Sequence, residues 1–107
     1  MKIIHIALGV LDIEASVRDY SQRLGSRPAV EVPQEYALWR TAAVNLSVRK
    51  VPAEEAGRLR HLGWEDPSAA SFSSEPDVNG IEWERFTVEQ QAKEIRQAWP
   101  AADVRSA

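Results

Sequence analysis

The first half of this chain follows one order, a strand, a helix and three more strands, with clear boundary residues between them. Residues 2–10 alternate in the manner of a buried strand, in which Ile4, Ile6 and Leu8 share one face. Asp12 suits the N-cap of a helix over residues 13–24, and Gly25 suits the position after its end. Three short strand patterns follow, at residues 29–32, 36–41 and 44–51. This order predicts an α+β fold in which a helix packs on a sheet.

The second half of the chain holds fewer elements. After a connector with a short helical turn, strand patterns occur at residues 59–64, 68–74 and 81–86. Asn79 and Gly80 are typical of a hairpin turn before the last strand. Thr87 and Gln90 form a capping box that predicts a C-terminal helix over residues 87–99. The tail that follows, residues 101–107, is expected to fray.

Length, charge and composition exclude several classes of function. A chain of 107 residues has the size of one domain. Its formal net charge of −3 argues against a nucleic-acid partner, which needs a concentrated basic surface. The absence of cysteine excludes disulfides, thiolate metal sites and cysteine nucleophiles. No apolar run is long enough to cross a membrane and no signal-peptide cleavage site is evident, so no membrane partner and a cytoplasmic location are expected.

The two histidines of the chain and one glutamate fall on three different strand patterns. His5 lies in the first strand, His61 in the strand after the connector and Glu84 in the last strand. Two imidazoles and one carboxylate suit Fe(II), Mn(II), Zn(II) or Ni(II) and leave coordination positions open for a substrate. Each residue alone also fits a structural role, as a buried hydrogen-bonded histidine or a surface carboxylate. If the three strands lie side by side, the sequence predicts a divalent-metal site.

Two segments of the chain resemble one protein superfamily. Residues 5–25 combine a strand that begins with His, an Asp-Ile-Glu-Ala-Ser helix start, the helical Tyr20 and a Leu-Gly ending. Residues 77–84, Asp-Val-Asn-Gly-Ile-Glu-Trp-Glu, join a turn to a strand that carries Glu84. Both segments look like the vicinal oxygen chelate superfamily, which includes glyoxalase I, bleomycin-resistance proteins and extradiol dioxygenases.

The resemblance implies one glyoxalase/dioxygenase-like domain over residues 1–107, in which two strand-helix-three-strand modules curve into a cup. The first module would span residues 1–51. The chain has no room for the helix and one strand of the second module, so residues 58–86 would form a reduced module of about three strands, with the C-terminal helix at 87–99 after it. Either that helix or a partner subunit would cover the face left bare, and a homodimer is expected.

The resemblance also assigns metal ligands. His5, His61 and Glu84 match the ligand positions on the first, fifth and last strands of the family. A fourth position, which is Glu or Gln in glyoxalase-like members, is Asn45 here. Since an asparagine side chain binds transition metals weakly, the resemblance favours the three-ligand pattern of the dioxygenase-like members.

Strand alternation adds polar candidates for the substrate site. Asn45, Ser47, Arg49 and Glu82 are predicted to share the inward face with the ligands. Arg49 is a candidate to hold an anionic group of a substrate. Glu82 is a candidate catalytic acid or base, alongside the metal-binding Glu84. A salt bridge at the rim is the plainer interpretation of both Arg49 and Glu82, and it is preferred to the functional one.

The four tryptophans have two competing interpretations. Trp39 and Trp64 are candidates to line a substrate cavity, although plain core packing fits both positions. Trp83 and Trp99 are expected to pack between the last strand and the last helix.

Two functions, from different classes, fit these observations. The first is a divalent-metal-dependent dioxygenase, lyase or isomerase that acts on a small organic substrate with vicinal oxygens. The second is a metal-free protein of the bleomycin-resistance type, which sequesters an aromatic or planar compound in the cup. A dimeric relic of the fold with no small-molecule role is a third, plainer alternative. The presence of all three ligand residues favours the enzyme, and the shortened second module argues the other way.

Overall fold

A computed structural model describes residues 1–104 of the chain, and a seven-stranded mixed sheet runs through it. Along the chain the elements are β1 (Ile3–Val10), α1 (Ile13–Leu24), β2 (Val30–Val32), β3 (Tyr36–Arg40), β4 (Val44–Lys50), a 3-10 turn (Ala53–Glu55), β5 (Leu59–Glu65), β6 (Ser73–Pro76), β7 (Glu82–Phe86) and α2 (Val88–Ala98). Across the sheet the strands lie in the order β2-β3-β4-β1-β5-β7-β6. The predicted α+β fold is confirmed, with its open curved sheet, three strands after the connector and a C-terminal helix.

Local sequence explains why α1 begins and ends where it does. The Asp12 side chain accepts a hydrogen bond from the main-chain N–H of Ala15 at 3.0 Å. Gly25 ends the helix with a φ of 65°, a left-handed conformation that glycine adopts without strain. Within the part of the chain that the structure describes, no helix is long and apolar enough to span a membrane.

The register of the central strands sorts the side chains onto two faces. β1 pairs in parallel with β4, and His5 lies opposite Asn45. β1 also pairs antiparallel with β5, which places Gly63 opposite His5, and β5 pairs in parallel with β7, which places Glu84 opposite Gly63. Because opposed residues point to the same face, these four residues share one face, here called the site face. The other side of the sheet is called the outer face.

The two helices pack on opposite faces of the sheet. α1 covers the outer face of β3 and β4, where Trp39 and Val48 are fully buried. α2 packs on the site face through Ile95, which lies in one cluster with Val30 and Leu38. The C-terminal helix therefore fills part of the cup and does not cover the outer face of β5 and β7.

Three local predictions for the second half of the chain are wrong. The strand expected at residues 68–74 begins at Ser73, because the segment before it turns around the Asp66 side chain, which accepts hydrogen bonds from the main chain and hydroxyl of Ser68. Trp83 and Trp99 do not pack together, because Trp83 lies on the outer face against Trp64, whereas Trp99 lies on the site face against Tyr36. The first part of the tail is not frayed, since Ala102 and Val104 pack against the cluster of Val30, Tyr36, Leu38 and Ile95; residues 105–107 of that prediction lie outside the described residues.

Candidate metal centre

Three side chains from β1, β5 and β7 converge on the site face. Nε2 of His61 lies 3.0 Å from Nε2 of His5 and 3.0 Å from Oε1 of Glu84. Nε2 of His5 lies 3.9 Å from the same carboxylate oxygen. One donor atom from each residue lies within 4.8 Å of the other two. The structure thus brings together the three residues that the sequence nominated as metal ligands.

The spacing of the three donor atoms fits one transition-metal ion. Imidazole nitrogens and carboxylate oxygens bind such ions at about 2.1 Å, so donors at a right angle lie about 3.0 Å apart and wider angles increase this toward about 4 Å. The separations of 3.0, 3.0 and 3.9 Å fall within that range. The donor set itself suits Fe(II), Mn(II), Zn(II) or Ni(II).

Gly63 makes the convergence of the ligands possible. It lies between His5 and Glu84 in one row across the sheet. A Cβ atom at this position would meet the main chain of Glu84. The missing side chain therefore lets β5 and β7 pair and keeps the space between the two ligand side chains free.

A hydrogen-bond chain fixes which nitrogen of His5 faces the other ligands. The Asn45 side chain lies between His5 and Glu65, with Oδ1 2.8 Å from Nδ1 of His5 and Nδ2 2.9 Å from Oε1 of Glu65. A carboxylate only accepts hydrogen bonds, so Nδ2 of Asn45 must face Glu65 and Oδ1 must face His5. Nδ1 of His5 is then the donor, and Nε2 presents its lone pair toward His61 and Glu84.

The far end of this series of hydrogen bonds is a buried ion pair between Arg40 and Glu65. Nε and Nη2 of Arg40 donate to the two carboxylate oxygens of Glu65 at 2.8 and 2.9 Å. Burial alone would raise the pKa of Glu65, but the hydrogen bonds from Arg40 and Asn45 outweigh burial and hold this pKa below its ordinary value. Gln91 from α2 also accepts from Nδ2 of Asn45, at 2.7 Å. Sequence reasoning missed these supporting residues, because they come from three elements that only the fold brings together.

Burial keeps His5 in the form that binds metals. Its side chain is 2% exposed, and the ring of Phe86 packs edge-on at 5.0 Å between ring centroids. Desolvation lowers the pKa of His5 below 6.5; the hydrogen bond to Asn45 works in the opposite direction, and the neighbouring His61 lowers the pKa further. His5 is therefore neutral at neutral pH, with a free lone pair on Nε2.

A cavity of about 190 Å³ opens beside the three ligands. Ser47 and Arg49 line it, together with Tyr36 and Arg60. Residues of α2 close another side, together with Trp99, which follows the helix. Two of the residues nominated for substrate binding, Ser47 and Arg49, thus lie where a molecule next to the ligands would contact them.

Two other polar candidates occupy different places. Asn45 shares the site face but is 0% exposed, and its side chain is fully engaged with its neighbours, so it supports His5 and does not line the cavity. Glu82 is the first residue of β7 and lies opposite Pro76 of the edge strand β6, and its exposed carboxylate accepts a hydrogen bond from Oγ of Ser74 at 2.7 Å. Neither residue is in position to contact a molecule in the cavity.

The structure places both tryptophan candidates on the outer face, away from the ligands. Trp39 is fully buried under α1, where its indole N–H donates to Oγ of Ser21 at 3.2 Å. Trp64 lies opposite Ile4 and packs against Trp83, with ring centroids 6.3 Å apart. The reason is strand alternation, since each residue is one position out of phase with the site face.

Arg60 lines the cavity, although the strand pattern of the sequence predicts that it lies on the other face. The pairing of β1 with β5 is irregular here: Ala7 faces His61, whereas Leu8 faces Leu59, so Arg60 is an extra residue in β5. Simple alternation would send Arg60 to the outer face, but this β-bulge turns it toward the cavity that His61 lines. Nothing in the sequence marks the bulge.

Comparisons with known proteins bear on the fold alone. No family model matches the chain, and no curated protein matches it. Among the solved structures that match is one described as the NAD-dependent benzaldehyde dehydrogenase from Legionella pneumophila, with 13% sequence identity and a TM-score of 0.53. The match covers 78% of this chain and 97% of that chain. The resemblance to vicinal oxygen chelate proteins stays a prediction.

Proposed function

We propose that the protein holds one divalent transition-metal ion through His5, His61 and Glu84, and that it is an enzyme acting on a small organic substrate with vicinal oxygens. The observation that carries this proposal is the convergence of three donor atoms from separate strands within 4.8 Å. Such an ion, when bound, supplies a Lewis acid that polarises a substrate oxygen. Dioxygenase, lyase and isomerase chemistry all remain within this class.

The residues of the chain have distinct parts in this proposal. His5 is held as a neutral donor by its burial and by Asn45, and His61 offers its Nε2 from the neighbouring strand. Glu84 supplies the anionic ligand, so it is the candidate catalytic residue that contacts the reacting centre. Glu82, the second catalytic candidate, has no part, because it lies outside the cavity lining and its exposed carboxylate contacts Ser74 of the edge strand β6.

The proposal is tested by assaying protein loaded separately with Fe(II), Mn(II), Zn(II) or Ni(II) against catechols, 2-hydroxy ketones and 2-oxo aldehydes. We expect turnover with at least one metal and one of these classes. Glu84→Ala should abolish that turnover, and Glu75→Ala, a matched change on the exposed strand β6, should preserve it. Turnover that survives Glu84→Ala, or none in any loaded form, contradicts the proposal.

Sequestration of a small molecule without a metal is the second candidate function. The cavity volumes favour a different site for it, away from the three ligands. α2 occupies much of the site face, so the cavity there, at about 190 Å³, is smaller than the roughly 300–1,000 Å³ of drug-sized sites. A cavity of about 530 Å³ lies instead beside Trp64 and Trp83. Planar compounds that quench tryptophan fluorescence in metal-free wild-type protein, but not in Trp64→Phe, would favour this function.

A homodimer in the cytoplasm remains part of the proposal. Both edge strands, β2 and β6, have an unpaired side among the described residues, and all four residues of β6 are exposed. Sedimentation equilibrium at several protein concentrations distinguishes a dimer from a monomer.

A further inference from the structure

Two arginines line the cavity beside the three ligands, and within residues 1–104 neither forms an ion pair. Arg49 lies near the end of β4 and Arg60 in the bulge of β5. The arginines that support the structure behave differently: Arg40 pairs with Glu65, and Arg85 pairs with Asp66 at 2.8 Å. Arg49 and Arg60 thus carry positive charge without a carboxylate partner, at the mouth of a candidate catalytic site.

Both side chains are directed by specific packing. The guanidinium of Arg49 lies over the ring of Trp99, with its Cζ atom 5.1 Å from the ring centroid. The bulge turns Arg60 toward the same cavity. Without that extra residue, Arg60 would point away from His61. The fold therefore brings together two like charges that ordinary strand pairing would separate.

The proximity of the two guanidinium groups has an electrostatic cost. Arg49 and Arg60 line the same cavity, so their like charges repel each other. Glu84 and Glu94 also line the cavity and offset part of this repulsion. Glu84 is committed to the ligand set, so a divalent ion would leave the cavity positive overall. A bound anion would relieve this charge.

A neutral hydrogen-bond donor lies in the same cavity. Tyr36 is opposite Arg49 in the sheet, and burial raises the pKa of its hydroxyl to about 12. The hydroxyl therefore keeps its proton at neutral pH. Oγ of Ser47 is a further potential donor. Two cations and two hydroxyl groups make this wall of the cavity suited to a carboxylate.

We propose that Arg49 and Arg60 form a subsite for a substrate carboxylate, so that the substrate is a small organic acid whose carboxylate lies apart from its vicinal oxygens. This inference rests on the proposed function for its reference to vicinal oxygens. The volume of about 190 Å³ limits the acid to a few carbon atoms. The carboxylate orients the molecule, and the opposite end reaches His5, His61 and Glu84.

A comparison of malate with lactate distinguishes binding at the carboxylate subsite from binding at the metal centre. Both carry the same 2-hydroxycarboxylate end, but only malate has a second, distal carboxylate. We would titrate each acid into metal-free and Zn(II)-loaded full-length protein and follow the side-chain Nε–H signals of Arg49 and Arg60 by NMR. The same titrations are run on Arg49→Gln, Arg60→Gln and, as a charge-matched control, Arg18→Gln on the exposed side of α1.

Malate should shift both arginine signals and bind the Zn(II)-loaded protein about tenfold more tightly than lactate does. Either cavity variant should lower malate affinity about tenfold and leave lactate affinity unchanged, and Arg18→Gln should change neither. If malate shifts the NMR signals of both arginines but the protein takes up no zinc, the subsite is upheld and the metal-dependent function is refuted. Normal zinc uptake with equal malate and lactate affinities, or with no arginine shifts, would overturn the subsite alone.

Discussion

Oδ1 of Asn45 lies 2.8 Å from Nδ1 of His5, on the strand that pairs in parallel with the one that carries the histidine. This contact links the most buried ligand to the Arg40–Glu65 ion pair through a single carboxamide. Hydrogen bonds of this kind orient a histidine and fix its tautomer at metal centres. Asn45 is therefore a positioning residue, although the sequence nominated it for substrate contact.

Replacing Asn45 should weaken metal binding without removing a ligand. Asn45→Leu leaves Nδ1 of His5 and the carboxylate of Glu65 without their shared partner, so we expect about a 10- to 100-fold loss of Zn(II) affinity and about 1–3 kcal/mol of lost stability. Chelator competition measures the affinity. Asn79→Leu, in the exposed turn before β7, is the control and should leave the affinity unchanged. Unaltered affinity in Asn45→Leu would contradict the positioning role.

The Arg40–Glu65 pair should contribute much more to stability than a surface pair does. Side-chain exposures are 14% for Arg40 and 7% for Glu65, so Arg40→Leu leaves a carboxylate buried without its partner and should cost about 3 kcal/mol. Arg23 pairs with Asp19 at the same 2.8 Å but at exposures of 72% and 52%. Arg23→Leu should cost less than about 1 kcal/mol. Urea unfolding of both variants measures the difference, and equal losses would refute it.

Gly63→Ala should disturb the metal centre while keeping every ligand. The added methyl group meets the main chain of Glu84, so β5 and β7 must move apart, at a cost of about 1–3 kcal/mol and about a tenfold loss of Zn(II) affinity. Gly80→Ala also destabilises the chain, because its φ of 80° is strained for alanine, but it lies in the turn before β7. Its metal affinity should stay at the wild-type value. If both variants bind Zn(II) like wild type, Gly63 has no part in the convergence.

Acidification should remove the contribution of Asp66 to folding stability. Hydrogen bonds from the main chain and hydroxyl of Ser68, and the contact with Arg85, lower the pKa of Asp66 from 3.8 to about 2. Because the folded state holds the proton more weakly than the unfolded chain does, the stabilisation is complete above about pH 4 and is lost as the pH falls toward about 2. The difference in urea midpoint between wild type and Asp66→Asn should shrink across this window.

The exposed Asp103 provides the comparison for this experiment. The urea midpoint of Asp103→Asn should match that of wild type at every pH. A gap between wild type and Asp66→Asn that stays constant from about pH 5 to about pH 2 would contradict the assignment.

Local signals made much of the fold predictable. Asp12 and Gly25 bound α1, and Thr87 with Gln90 forms the predicted capping box of α2, because such signals act within a few residues. The segment around Ser68 was misassigned because its alternating pattern competes with a turn held by the Asp66 side chain, which no periodicity reveals.

The candidate site was predictable only in part. Residue types on three strand patterns, together with the family resemblance, nominated His5, His61 and Glu84, and the structure brings them together. Trp64 lies three positions from His61 on β5, so alternation alone already places it on the face away from that ligand, and its nomination was wrong. Trp39 could not be placed from the sequence, because β3 carries no ligand to show which of its faces is the site face. Arg60 was missed because the bulge reverses its direction. These outcomes depend on pairing between distant strands.

The most direct test of the central claim is metal content. Untagged wild-type protein, Glu84→Ala and the control Glu75→Ala would be loaded with Zn(II), dialysed and measured by elemental analysis. The account predicts about one zinc ion per chain in wild type and in Glu75→Ala, and far less in Glu84→Ala. A wild-type protein that retains no metal, or a Glu84→Ala protein that retains as much as wild type, would contradict it.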